Sequence, residues 1–130
     1  MEQIKRSFVN LTIWQKAHKF VLAVYRLSIS FPKNELYGVT SQLRRAAVSV
    51  SSNIAEGYAR FGKKEKQQFY YMSLGSLTES QNLLLVCRDL KYIDKSDFLD
   101  LANQTVEIGK LINSYIRSLK EDNLILTSSF

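Results

Sequence analysis

Apolar positions along this 130-residue chain recur at spacings of three and four, the period of a helix with one buried face. Trp14, Ala17, Val21, Val24 and Ser28 make one such stripe, flanked by Ile13, Phe20 and Leu27, and predict a helix from about Thr12 to Ser28. Phe31-Pro32 closes it, because the residue before a proline is pushed out of the helical region. A short turn, Lys33 to Tyr37, leads to a second helix over roughly Gly38 to Ala59, punctuated by Gly57 and Gly62. A third is expected over Lys63 to Leu90. Asp94 suits the N-cap of a fourth, with Asp97 adding favourable charge in its first turn. Phe98, Leu101, Thr105, Ile108, Ile112, Tyr115 and Leu119 then step alternately by three and four, a heptad seam with one polar interruption. No strand alternation competes. Four helices with short joins predict an all-α fold, an antiparallel up-down-up-down four-helix bundle filling a single domain over residues 1–120. Residues 121–130 are expected to form a short flexible tail.

The second helix departs from ordinary amphipathic patterning. Gln42, Arg45, Ser49, Asn53 and Glu56 line one face, yet Ser and Asn in mid-helix weaken an exposed helix. Ala46, Ala47, Ser51, Ser52 and Ala55 are small, which points to a helix pressed closely against neighbours. The polar row is therefore a candidate buried network or subunit contact. Glu79, beside Gly75 and Ser76 on the third helix, is the expected partner of Arg45, since a buried charge needs an opposite one. A catalytic pair of Glu56 and Glu79 is the alternative, with no substrate pocket to support it.

Two stretches carry more apolar surface than one bundle covers. Leu83 to Val86 is apolar all round, and the fourth helix has a second stripe at Leu99, Val106 and Ile116. Burial by other subunits is the expectation; loose patterning in a thick core is the alternative.

Charge adds a direction. Lys and Arg outnumber Asp and Glu by 18 to 12, for a formal net charge of +6. Residues 1–66 carry 12 basic against 4 acidic side chains, a balance of +8, and the remainder carries 6 against 8, or −2. A basic half suggests a polyanion, usually nucleic acid. Arg44, Arg60, Lys63, Lys64 and Lys66 are the candidate phosphate contacts. Gly62 leaves backbone amides accessible at the start of the third helix, and Phe61 is placed to stack on a base. A solvated loop whose lysines maintain solubility is the bland counterpart.

Several chemistries are excluded. Gly57-Tyr-Ala-Arg-Phe-Gly62-Lys63-Lys64 approaches a phosphate-binding loop, but Lys64 stands where a magnesium-binding hydroxyl is needed and a helix precedes it in place of a strand. The single histidine, His18, has no partner at ligand spacing, so no metal site, cofactor or hydrolytic triad is expected. The lone Cys87, among Leu83 to Val86, reads as a small buried hydrophobe. No apolar run reaches the roughly 18 residues of a membrane span, and the N-terminus lacks a signal-peptide core, so a cytoplasmic protein without a membrane partner is expected.

Trp14-Gln15-Lys16-Ala17, Phe31-Pro32 with Glu35, Tyr37-Gly38, the run SQLRRAAVSVSSNIAEG from Ser41 to Gly57, and Gly75-Ser76-Leu77 with Glu79 together resemble the intervening-sequence proteins. Members of this family are encoded in insertions within bacterial large-subunit ribosomal RNA genes and elsewhere in bacterial genomes. The likeness covers roughly Leu11 to Lys120. Where the family pattern has a proline before the last serine of its second-helix motif, this chain has Ser51, which should leave that helix smooth. The resemblance implies a bundle that assembles into a ring, often a homopentamer. It extends to the accessory protein of diversity-generating retroelements, a basic pentamer associated with nucleic acid and a reverse transcriptase. The combined expectation is a non-enzymatic homo-oligomer that binds nucleic acid, RNA foremost, with a scaffold for a protein partner as the alternative.

Overall fold

A computed structural model describes residues 7–128, with side chains described over 7–120, and places every predicted stripe on a helix. The helices are α1 (Thr12–Ser28), α2 (Ser41–Ala59), α3 (Lys63–Asp89) and α4 (Lys95–Ser128). A 3-10 turn at Phe8–Asn10 precedes α1. The expected second helix begins three residues later than Gly38. Leu36–Thr40 forms a wider π-type turn in which Gly38 leaves helical geometry (φ −111°, ψ −120°). Asp94 caps α4 as the pattern implies, its Oδ1 accepting the Asp97 N–H at 2.8 Å. α4 continues to Ser128, so its backbone is helical past Lys120, where a short tail was expected. Residues 129–130 lie outside the described part, as do the basic residues Lys5 and Arg6.

α3 ends without a glycine. Lys91 adopts the left-handed conformation (φ 63°). Its N–H donates to Arg88 O at 3.0 Å, and the next N–H, of Tyr92, reaches back to Cys87 O at 2.9 Å. These paired bonds satisfy helix-end carbonyls and turn the chain toward α4. The Tyr92 hydroxyl then donates to Glu35 Oε2 at 2.8 Å, tying this turn to the α1–α2 connection.

One apolar core runs between the four helices. Ala17, Phe20 and Val24 meet Leu43, Val50 and Ile54, closed from the other side by Tyr70, Leu77, Leu84, Leu101, Ile108 and Ile112. The heptad seam of α4 is buried at Leu101, Thr105, Ile108, Ile112 and Leu119, with Phe98 and Tyr115 half-buried. Ile116, expected on a second surface stripe, is also core at 3% exposure, because it lies on the flank that faces α3. Of the run Leu83 to Val86, Leu83 and Leu84 are buried while Leu85 and Val86 are exposed. Among the described residues, no helix is long and apolar enough to cross a membrane.

The closest helix pair is α2 with α3. A Cβ added to Gly57 would stand 3.1 Å from Phe69 Cβ and 3.2 Å from the Tyr70 ring. Further along, Ser73 Oγ donates to Val50 O at 2.8 Å, and Ser49 Oγ and Ser76 Oγ share a hydrogen bond at 2.7 Å. Rising numbers on α3 thus meet falling numbers on α2, so the chain reverses between them. Gly75 faces open space, and Ser73 and Ser76 make the contact. Ser51, standing at the family's proline position, bonds Val48 O at 3.0 Å within an unbroken helix.

Two measurements test this packing. Gly57→Leu forces bulk into the Tyr70 contact and should cost about 1–3 kcal/mol of stability; Gly75→Ala, in open space, should gain up to about 1 kcal/mol from helix propensity. Thermal melts of both variants decide it, and a Gly57→Leu protein that melts with the parent refutes the contact. The second test is alkaline. Burial, then the Glu35 charge, raises the Cys87 thiol from 9.0 to about 11, and burial likewise raises the Tyr70 hydroxyl. Both groups are held protonated by folding, so their contribution is whole below the ordinary thiol value and is lost as pH climbs toward the folded one. The melting temperature should fall between pH 9 and 11, less steeply in Cys87→Ala.

Candidate nucleic-acid interface

The basic cluster forms where α2 gives way to α3. Arg60 (φ −80°, ψ 149°) and Gly62 (φ −80°, ψ 141°) are both extended, so the short connection stands out from the helix ends. Gly62 occupies the N-cap position of α3 without a side chain to satisfy the first amides. Phe61 lies between them with its whole side chain in solvent, at 102% exposure. Lys64 is exposed and Lys63 half-buried.

Two of the predicted phosphate contacts have internal work. Arg60 lies over the Phe69 ring, 4.5 Å from its centroid, and reaches Glu56 at 3.8 Å while remaining 42% exposed. Stacked this way the guanidinium keeps one face open. Lys66 is turned inward: its Nζ donates to Tyr58 O at 2.7 Å and to Gly57 O at 3.3 Å. These carbonyls lie at the end of α2, where Gly57 O also accepts the Arg60 N–H at 3.2 Å, and a cation suits the negative end of the helix dipole. Burial holds the Lys66 ammonium below its ordinary pKa. Lys66, expected among the phosphate contacts, is thus engaged as a cap on the end of α2. Arg44, expected in the same set, is engaged elsewhere. It donates to Ser28 Oγ at 2.8 Å and covers the Tyr25 ring at 4.8 Å, joining α1 to α2. Sixteen residues along α2 from Arg60, it stands roughly 24 Å away at 1.5 Å per residue.

Tertiary structure adds groups that the linear pattern did not mark. Lys120 of α4 lies 5.5 Å from the Tyr71 ring centroid, and Tyr70 packs edge-on against Tyr115 at 5.0 Å. The basic end thus carries cations from α3 and α4 and rings from both. The aromatic run Phe69-Tyr70-Tyr71 was the available signal; nothing local points to Lys120.

The polar row of α2 divides. Ser49 and Asn53 form a half-buried network with Ser76, Asn53 Nδ2 donating to Ser49 O at 2.9 Å and to Ser49 Oγ at 3.1 Å. Gln42, Arg45 and Glu56 are exposed, and so is Glu79. Among the described residues Arg45 makes no ion pair with Glu79, and Glu56 pairs with Arg60. The physical reason is the helix period. Ser49 and Asn53 point into the α2–α3 seam, whereas Arg45 and Glu56 lie toward its solvent edge, where a charge needs no protein partner. His18 is exposed and stacks on Trp14 at 4.6 Å. Among the described residues no group of His, Cys, Asp and Glu could hold a metal.

Apolar side chains remain uncovered on two edges. Leu22 and Tyr25 of α1, Ile29 just past its end and Val48 of α2 are exposed, as are Leu99 of α4 and the pair Leu85 of α3 and Val106 of α4, which line one groove. A shallow groove of about 250 Å³ runs along the second edge, floored by Leu84, Phe98 and Ala102.

Residues 9–114 match the model of the 23S rRNA-intervening sequence protein family. A solved structure from Bacteroides thetaiotaomicron, described as a protein of unknown function from the S23 ribosomal protein family, has the same fold with a TM-score of 0.73. It is 19% identical, and the match covers 81% of this chain and 98% of that one. Comparison with curated proteins finds no match.

Removing the internal lysine separates capping from surface charge. Lys66→Met keeps the apolar stem but removes the ammonium from the Gly57 and Tyr58 carbonyls, and should lower stability by about 1 kcal/mol. Lys64→Glu should change it by less than about 0.5 kcal/mol. Denaturant titration followed by circular dichroism reads both; equal midpoints would show that Lys66 caps nothing.

Proposed function

The chain belongs to the 23S rRNA-intervening sequence protein family, and from that premise we propose that it is a non-enzymatic cytoplasmic protein that binds nucleic acid, RNA foremost, as a ring of up-down-up-down four-helix bundles. The observation that carries the binding is the α2–α3 connection. There Arg60, Lys63 and Lys64, three of the 12 basic residues in the +8 stretch 1–66, flank a bare aromatic ring. Repetition of that connection around a ring multiplies phosphate contacts without demanding tight binding at any one copy.

The ring draws on the two apolar edges. α1 packs on α2, α2 on α3, α3 on α4 and α4 on α1, so the α1–α2 and α3–α4 edges lie on opposite sides of the molecule. Unlike surfaces that meet head to tail generate a closed ring or an open filament, and closure leaves no adhesive end. Five subunits is the number that the family resemblance implies; two edges by themselves choose none. The same edges favour a second reading, in which the assembled protein is a scaffold for a protein partner and touches nucleic acid only indirectly.

Salt separates these readings. Three phosphate contacts on a single strand give a slope near −2 in log–log form, so raising salt from 50 to 200 mM should weaken RNA binding roughly 10- to 20-fold. Absence of binding to structured RNA and duplex DNA at low salt, with partner capture that survives nuclease and high salt, would replace the first reading with the second. Light scattering on the eluting protein at micromolar concentration tests assembly: a mass near 15.0 kDa rejects it, and a mass near twice that rejects the ring.

A further inference from the structure

The exposed ring at the α2–α3 connection has no structural task. Phe61 is 102% exposed, so it buries nothing against its own chain, and a bare phenyl group in water forgoes the stabilisation that burial supplies. Its supports are in contrast well held. Arg60 is laid on Phe69 and tied to Glu56, and Lys66 bonds the last carbonyls of α2 at Gly57 and Tyr58. The extended backbone at Arg60 and Gly62 carries the ring outward from this base. Tyr37, nearly as exposed at 94%, sits near the opposite end of α2 with Lys33 as the basic residue within four positions along the chain, whereas Phe61 has Arg60, Lys63 and Lys64 within three. The combination at Phe61 is a presented aromatic face with positive charge on both sides.

We infer that this connection takes an unpaired nucleotide, its base stacked on Phe61 and its neighbouring phosphates held by Arg60 and Lys64. The inference rests on the nucleic-acid reading above and narrows it to single strands. In a duplex each base is already stacked between its neighbours, and a ring on a short loop tip has no face to meet. In a single strand every base offers a π-face, and phosphates recur along the backbone on either side of it. A phenyl ring has no hydrogen-bonding group, so recognition is tolerant of base identity. A hydrophobic pocket on a protein is the poorer fit, because seating the ring would desolvate the cations beside it.

The test uses the full-length protein with two RNA probes at 50 mM salt, a 12-nucleotide oligouridine and a blunt 12-base-pair duplex, read by fluorescence anisotropy. The single strand is expected to bind more tightly. Phe61→Ala and Phe61→Leu should each weaken it roughly 5- to 150-fold, the range for loss of one stacked base, and leave the duplex unaffected, whereas Phe61→Trp retains it. Leucine keeps the apolar bulk and removes only the stacking face, so a Phe61→Leu protein that binds like the parent overturns the inference. If Phe61→Ala changes nothing while Lys64→Glu weakens both probes alike, the nucleic-acid reading stands and the stacking falls. If the parent binds neither probe, both fall.

Discussion

Close contact between α2 and α3 is the constraint on which the rest of this molecule depends. Gly57 gives the Tyr70 ring room to lie against the backbone of α2, and Ser73 and Ser76 bring their hydroxyls to Val50 O and Ser49 Oγ. Small side chains let the backbones approach, and the hydroxyls satisfy polar groups that the approach would otherwise bury unpaired. The direction of the Arg60–Gly62 connection follows. Because the end of α2 and the start of α3 are held together by Gly57 packing and by Lys66, the residues between them have nowhere to fold back.

The same contact decides which charges are available. A net charge of +6 describes a field around the protein, not a site. Lys16 is bound to Glu107 at 2.8 Å, Arg88 to Asp89 at 2.8 Å, Arg44 to Ser28, and Lys66 to two carbonyls. Those cations have partners whose geometry fixes their direction. Lys64, and the open face of Arg60, are offered outward at one end, where Lys120 joins them from α4. Long-range attraction arises from the sum of charges, but capture depends on the few that project.

The uncovered apolar residues have a different origin. α1 turns Ala17, Phe20 and Val24 inward, yet Leu22 and Tyr25 occupy its outer surface and Ile29 follows just past its end. α4 does likewise with Leu99 and Val106 outside a complete inner seam. Scattered exposed leucines are ordinary, but residues that share a helix face and a neighbouring helix make a continuous edge. Two such edges on opposite sides are the property that the proposed ring uses.

Periodicity alone determined four helices and nearly all of their limits, because a buried face must recur every three to four residues and Pro32, Gly62 and Asp94 punctuate the pattern. It also marked the inner seam of α4, Phe61 as an aromatic among cations, and Cys87 as core. Direction around each helix was less legible. Arg45 and Glu79 look like a pair in sequence but stand at a solvent edge, and Ile116 looks like surface but is core, since a shift of one position turns a side chain by about 100°. Tertiary structure alone decided that Lys66 caps α2, that Arg44 bonds Ser28 of α1, and that Lys120 joins the basic end. Each of those outcomes depends on which helices are neighbours, and a periodic pattern gives the buried face of a helix without giving what lies across from it.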